Sequence, residues 1–492
     1  MRPGLRQAMA DLHRWAGLVP GWLLFAVFLT GSLSYFRPEI SMWTRPEIRA
    51  AAVVDQTSAL RSAQAFLERN AEGASRWLIE LPTPRLPLTR VMVWQPGGPG
   101  PHYRHELLDP RTGAVAPARP TFGGDFFFYF HFDLHMPWRL GRFLVGFAAM
   151  AMLVALLTGI VVHRRLFTDF FTFRPHKGPR SWLDAHNVFG VLALPYHLMI
   201  AYSGLVILMM MYLPWGADRL FAARPALFLA EAGQSIVPPS DPGPAAGPSD
   251  LASLLPEADR RWPGEAPGRV DVYWPGRAAS RIVVTLGDDQ RLTHAGERLV
   301  FDGAGTALPA EPGSVRSAPA RLERVLYGLH LGRFGGWPVR VLFFFSGLAG
   351  AAMVGTGLIL WTAKGRAGRL ADTLNLAVIG GLPIAIATFF WANRLLPTGL
   401  TGRAILEGGC FFAGWILAAI HAVLRRDVVA WRTQFAGVAT LFMTLALLDG
   451  VLTGRGLSSG DRLFAGFDLA FLAAGCAFAL LARSCRARRG GA

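Results

Sequence analysis

The sequence predicts a membrane all-α bundle of about eight transmembrane helices with an internal two-fold repeat, joined to two small α+β domains outside the bilayer. Three observations predict it. The chain of 492 residues is 52% hydrophobic and only 17% charged. Its apolar residues are concentrated in long uncharged runs, which marks membrane spans rather than a soluble core. The two longest polar stretches, rich in Pro and Gly, each follow one such run and precede another, in the same order.

The first five spans rest on run length. Arg14 to Arg37 encloses 22 uncharged residues, Arg142 to His163 encloses 20, Asp184 to Asp218 encloses 33, Arg340 to Lys364 encloses 23, and Asp372 to Arg394 encloses 21. Each reaches the roughly 20 residues a helix needs to cross the hydrocarbon. Shorter runs near 408–424, 433–448 and 463–482 complete the set. The expected organisation is a first helix within 1–36, an outside domain at 37–138, a second helix at 139–163 and a third at 184–212. A second outside domain follows at 213–337, then a fourth helix at 338–363 and a four-helix extension at 370–484. The first run is too long for a signal-peptide core and lacks a small-residue cleavage site directly after it, so it reads as a span.

The net charge of +16 does not indicate nucleic acid. With the N-terminus inside, the inside segments hold 18 Lys and Arg and the short outside loops hold 4. This positive-inside bias predicts a multi-pass protein of a bacterial inner membrane with both termini in the cytoplasm. Cys410, Cys476 and Cys485 form no CxxC or CxxCH, which argues against iron–sulfur clusters, structural zinc and covalently attached haem. No GxGxxG opens a helix after a strand and no P-loop occurs, so a nucleotide or flavin domain is not expected. No HExxH or Ser/His/Asp pattern points to a protease.

The outside segments share one grammar. The first reads as a helix over Ser58–Arg69, strands at Arg76–Leu81 and Arg90–Gln95, then HELLDPRTGAV. The second reads as a helix near 250–259, strands at Arg269–Trp274 and Arg281–Leu286, then ERLVFDGAGTAL. The Pro/Gly/Ala-rich run Pro238–Pro248 reads as a disordered linker. The spans repeat as well. HRWAGLVP opens span 1 and HNVFGVLALP opens span 3; LHMPWRLGR leads to Thr158-Gly159 in span 2, and LHLGRFGGWPVR leads to Thr356-Gly357 in span 4.

In this order, LHRWAGL…FLTGSL, DPRTGAV, LH…GRFLVG, LDAHNVFG and LHLGRFGG…GTGLILW resemble the PepSY-associated transmembrane family over roughly residues 8–365. That family includes iron-regulated membrane proteins and inner-membrane ferrisiderophore reductases. The resemblance implies PepSY-type periplasmic domains, haem bound between the helices, and reduction of a periplasmic ferric chelate such as a ferric siderophore. The extension at 370–484 goes beyond the compact members.

The histidines are the candidate ligands, because an ionisable side chain within a span is costly unless it has a partner. His13, His163 and His186 fall at the inner ends of spans 1, 2 and 3; His135 and His330 fall at the outer starts of spans 2 and 4. His197 lies inside span 3, three turns past His186, which on a straight helix places both rings on one face about 16 Å apart. That spacing suits two stacked haems b with imidazole axial ligands. The repeat pairs His135 with His330 at the outer surface and His13 with His186 at the inner one, while His163 and His197 lack repeat mates and can replace a member of the inner pair. Each of these can instead sit at the headgroups as a plain interfacial residue. His102, His105, His176 and His294 read as ordinary surface residues, and His421 as interfacial.

Arg139, Arg142, Arg333 and Arg340 follow the outer LH motifs and suit haem propionates or an anionic chelate. Snorkelling to the interface accounts for them equally well. The run Phe126–Phe130 reads as packing against a haem edge or as an outer collar, and Pro20 and Pro195 as kinks. Expected partners are the lipid bilayer, the chelate, and a cytoplasmic reductase or quinol as electron donor. Two rival readings stay open: a PepSY-domain binding or regulatory protein without redox activity, and a siderophore-related transporter with repeated halves.

Overall fold

The computed structural model describes residues 4–49, 55–96, 103–163, 172–175, 177–215, 219, 236, 239–288, 291–294, 297–309, 318–363, 368–425 and 427–485. His102 and His176 lie outside the described residues. The chain divides into two compact units: a helical one from Met1–Glu47, Ala118–Leu205 and Val341–Ala492, and an α+β one from Ile48–Pro117 and Val206–Arg340.

In chain order the helices begin with α1 (Leu5–Leu18), α2 (Gly21–Ser34), α3 (Arg37–Trp43), α4 (Gln56–Asn70), α5 (Gly124–Asp133), α6 (Trp138–Val162), α7 (Pro179–Leu192) and α8 (Leu194–Ile207). There follow α9 (Met209–Tyr212), α10 (Leu255–Arg261), α11 (Ala318–Leu331), α12 (Gly336–Ala363), α13 (Arg369–Leu395, with a π turn at Leu376–Gly380), α14 (Arg403–Leu424), α15 (Val428–Thr453) and α16 (Arg462–Ser484). Among the described residues α6 and α12–α16 are each long and apolar enough to cross a membrane, and the bent pairs α1/α2 and α7/α8 raise the count to eight if each is one span. The protein is thus a multi-pass membrane protein, and its C-terminal helices are longer than their apolar runs alone suggest.

The expected kinks are real and large. The chain turns by 61° between α1 and α2, where Pro20 precedes α2, and by 70° between α7 and α8, where Pro195 is the second residue of α8. A proline removes a backbone donor and its ring displaces the carbonyl four residues back. The bend separates His186 on α7 from His197 on α8, so they do not share one face of a straight helix.

Residues 37–47 and 118–138, assigned from sequence to the first outside domain, pack with the membrane helices instead. Phe126, Phe127 and Phe130 of α5 are buried against Phe389, Phe390 and Phe411 of the C-terminal helices. Trp43 is fully buried; its indole N–H donates to Asp449 Oδ2 (3.1 Å), and the Arg394 guanidinium lies 3.5 Å from its ring centre. Arg394 Nε donates to Asp449 Oδ1 (2.5 Å), so the buried cation is paired and hydrogen-bonded as its burial demands. These contacts make the four-helix extension one body with the N-terminal half.

The α+β unit holds one sheet, not two. Strands β1 (Arg76–Glu80), β2 (Thr89–Trp94) and β3 (Tyr103–Leu108) come from the first segment, and β4 (Pro267–Tyr273), β5 (Arg281–Leu286), β6 (Arg298–Asp302) and β7 (Ala307–Leu308) from the second. The strand order is β3-β2-β1-β4-β5-β6-β7, antiparallel throughout. The join is β1 with β4, from Arg76 opposite Tyr273 to Glu80 opposite Arg269. Period-2 alternation puts Trp77, Ile79, Val91, Val93, Val270, Val272, Ile282, Val284 and Phe301 on one face, packed on Leu60, Ala63 and Leu67 of α4 and on Leu255 and Ala258 of α10. Asp55 caps α4 by accepting from Ser58 N–H (3.1 Å). The expected linker is ordered from residue 239 onward: Trp274 Nε1 donates to Pro239 O (2.8 Å), and Ala246 N–H to Gly276 O (2.9 Å).

Beyond β5, Asp288 accepts from Arg333 Nη1 (3.0 Å) and pairs with His294 Nδ1 (3.1 Å), whose ring stacks on Tyr327 of α11. Burial alone raises the Asp288 carboxyl, but the hydrogen bond from His294 and the charges of His294 and Arg333 outweigh it and hold it at about 2. A depressed folded-state pKa stabilises the fold above the carboxyl's ordinary value of 3.8, and that contribution is lost as pH falls toward about 2. Asp288→Asn is therefore expected to cost about 2 kcal/mol at pH 7 and almost nothing at pH 2. Hydrogen exchange in β5 and α11 at the two pH values measures it; an equal loss at both would show that the charge is not what matters.

Candidate functional site

In a membrane helix the carbonyl of residue i is normally taken by the N–H of residue i+4, and a second donor can reach it only where the side chains around it are small. Three helices here provide such a place, each with a Thr-Gly pair. In α6 the stretch is Ala155 to Thr158-Gly159, in α12 Met353 to Thr356-Gly357, and in α2 Val27 to Thr30-Gly31. The threonine hydroxyls turn back into their own helices: Thr158 to Val154 O (2.7 Å), Thr356 to Ala352 O (2.7 Å), Thr30 to Ala26 O (2.8 Å). The glycines leave the surface bare.

A histidine from another helix fills each place. His13 of α1 donates from Nδ1 to Ala155 O, His186 of α7 to Met353 O, and His131 of α5 to Val27 O, each at 2.8 Å. The carbonyl can only accept, so each Nδ1 carries a proton, and as neutral imidazoles His13 and His186 keep a lone pair on Nε2. The glycines make room for this, Gly31 most of all. A Cβ at Gly159 would lie 3.1 Å from His13 Cε1, one at Gly357 3.0 Å from His186 Nδ1, and one at Gly31 2.6 Å from His131 Nδ1. His13 and His186 meet, with ring centres 6.2 Å apart and planes at 71°. That is the sequence-predicted inner pair. Among the described residues no three His, Cys, Asp or Glu are grouped to hold a bare metal ion.

The other sequence-predicted residues are placed as follows. His163 ends α6, one turn beyond Gly159. His197 is fully buried, its Nε2 3.3 Å from Ser346 O and its ring against Phe28. Its Nδ1 has no hydrogen-bond partner among the described residues. His135 follows α5 in a left-handed turn with Leu134 (φ 52° and 59°). Its Nε2–H donates to Phe126 O (2.9 Å), so its ring is folded back on its own helix. His330 lies in the last turn of α11, in the α+β unit. Arg139 and Arg142 stack on Trp138, Arg340 Nε donates to Gly336 O, and Arg333 is engaged by Asp288. His421 Nδ1 accepts from Gln434 (3.3 Å), and His294 is held between Asp288 and Tyr327 rather than free on the surface.

His131 is missing from the sequence-predicted set. Its signal was present: FLTGSL in span 1 carries the same Thr-Gly pair as spans 2 and 4, so a third histidine to match it was due. The aromatic run Phe126–Phe132 around it reads as packing surface and concealed it.

Exchanging glycine for alanine separates this reading from simple helix propensity. Gly437 on α15 has nothing near its Cβ position, so Gly437→Ala should stabilise by up to about 1 kcal/mol. Gly31→Ala makes the same change but must displace the His131 ring, and should destabilise by about 1–3 kcal/mol. Thermal unfolding of the purified variants in detergent compares them; a stabilised Gly31→Ala would remove the role assigned to the glycine.

Comparison with known proteins places the chain. A family model described as the PepSY-associated TM region matches residues 10–364. An uncharacterized protein of Pseudomonas aeruginosa is 26% identical over 306 residues, which cover 58% of this chain and 76% of that protein.

Proposed function

Because the chain belongs to the family of the PepSY-associated TM region, we propose that it is a haem-bearing electron carrier of the membrane. In this reading His13 and His186 would hold one haem b, and His131 would help to hold a second.

One observation carries this reading: the two imidazoles with free Nε2 lone pairs at a ring separation of 6.2 Å. Two imidazoles can hold one metal only where their ring nitrogens are uncommitted and the rings stand close together, and these two rings meet. The remaining features are those of a ligand histidine. Its second ring nitrogen is bound to a backbone carbonyl, which fixes the tautomer and the ring orientation and raises the basicity of the ligating nitrogen. The haem would supply one-electron exchange between ferric and ferrous iron, and two imidazole ligands favour electron transfer over ligand binding. The chain's part is to hold both rings neutral and oriented on separate helices, α1 and α7, by their contacts with α6 and α12.

The fuller reading is a transmembrane oxidoreductase of the bacterial inner membrane, with both termini in the cytoplasm as the loop charges suggest. It takes electrons from a cytoplasmic reductase or quinol and passes them to a periplasmic ferric chelate such as a ferric siderophore. Reduction loosens such a chelate because ferrous iron binds hard oxygen ligands less strongly.

The purified protein should be red and contain about two haems b per chain, with His13→Ala and His186→Ala each removing the same one. Pyridine haemochrome and low-temperature spectra measure both, and a colourless protein from haem-replete cells ends this reading. The second site has its own test, since the ring geometry favours His131 over His135. His131→Ala should lose the second haem and His135→Ala keep it. Loss in His135→Ala alone would restore His135 as the ligand. The same spectra of His197→Ala test it as the partner of His131.

A further inference from the structure

The face of the sheet turned away from α4 and α10 carries an arrangement that the haem reading does not use. Register sets Glu80, Arg269, Thr285 and Arg298 side by side across β1, β4, β5 and β6. Their neighbours Val270, Val284 and Leu299 point into the core, so these four point the other way. Directly opposed side chains in an antiparallel pair stand about 5 Å apart at Cβ.

The positive charge in this row is not balanced. Asp271, 2% exposed, is shared by Arg76 and by Arg269, which lies 2.8 Å from its Oδ2. Glu80 is taken by Arg90 (3.3 Å). Among the described residues no carboxylate hydrogen-bonds Arg298, and Asp271, whose charge reaches it, is already held by Arg76 and Arg269. The Arg298 Nε and one terminal nitrogen are shielded from solvent and have no hydrogen-bond partner among the described residues. Thr285 next to it is 5% exposed, and its hydroxyl is also without a partner. Guanidinium nitrogens shielded from water and left without an acceptor are costly, so buried charges are normally met by an opposite one. Water could accept from these groups but could not offset the neighbouring like charges. Burial, together with the charges of Arg269 and Arg324, brings the Arg298 guanidinium down to about 10.

We propose that Arg298, Thr285 and Arg269 form an oxyanion-binding site, which takes the carboxylate or phosphate group of a small anion. The guanidinium of Arg298 presents two parallel N–H donors to two oxygens, and the Thr285 hydroxyl donates to one of them. The site is independent of haem, lying wholly within the α+β unit.

Calorimetric titration of the full-length protein in detergent, with citrate and separately with inorganic phosphate, tests it. Saturable binding of at least one anion is expected, weakened roughly tenfold to a hundredfold by Arg298→Gln and less by Thr285→Val. Arg281→Gln, on the same face but bonded to Ser280 O (2.9 Å), should leave binding unchanged. The stronger of the two titrations identifies the group as carboxylate or phosphate. If Arg298→Gln does not fold, Arg298→Lys, which keeps the charge but loses the planar pair of donors, should fold and bind at least several-fold more weakly. Absence of binding by both anions, or binding that neither Arg298 variant weakens, overturns the proposal.

Discussion

A neutral imidazole within the apolar part of a membrane protein needs an acceptor for its one N–H, and the helices around it have already used their carbonyls. That shortage governs the helical unit. The carbonyls of Val27, Ala155 and Met353 come within reach because a glycine one turn further on leaves room for a second donor beside a helix already bonded to itself. So the Thr-Gly pairs of α2, α6 and α12 decide where His131, His13 and His186 stand, and the positions of those rings in turn fix how closely α5, α1 and α7 approach. The threonine in each pair turns its hydroxyl back into its own helix. It therefore adds no free polar group beside the histidine.

The bends in the chain serve the same end. If α1 and α2 ran on as one straight rod, His13 would have to meet α6 from the axis of span 1. The 61° turn lets α1 lie along α6 instead. On the other side of the 70° turn from α8, His186 of α7 reaches the Met353 carbonyl of α12, while His197 stays in the core beside Phe28. Proline is costly in a helix; here it permits each span to have two directions.

Much of this was legible in the sequence, for reasons that differ by element. The spans were plain because hydrocarbon thickness dictates run length. The strands were found within a residue or two, since a half-buried strand must alternate; β5, Arg281–Leu286, was placed to the residue. The inner histidine pair followed from the repeat. What could not be read depended on tertiary geometry. Nothing in the period of β1 or β4 says that they pair with each other, so one sheet looked like two domains. Three turns of helix between His186 and His197 predict a shared face only while the axis is straight. Trp43 and Phe126, which fasten the C-terminal helices to the first half, carry no local signal, because an aromatic residue near an interface has many possible neighbours. His131 fell to the same ambiguity.

The seam between β1 and β4 also acts as a counting rule. Two strands can share hydrogen bonds only if both have ended on the same side of the bilayer. Between them the chain passes through α6 and then the broken pair α7/α8, so the number of crossings there must be even. If α6 crosses once, the same rule requires the broken pair to carry the chain back across rather than dip in and return. The seam therefore makes completion of the sheet a checkpoint in biogenesis. The first segment waits with an unpaired strand edge until about 160 further residues after β3 have been synthesised and threaded, and a chain inserted with one span missing could never close it.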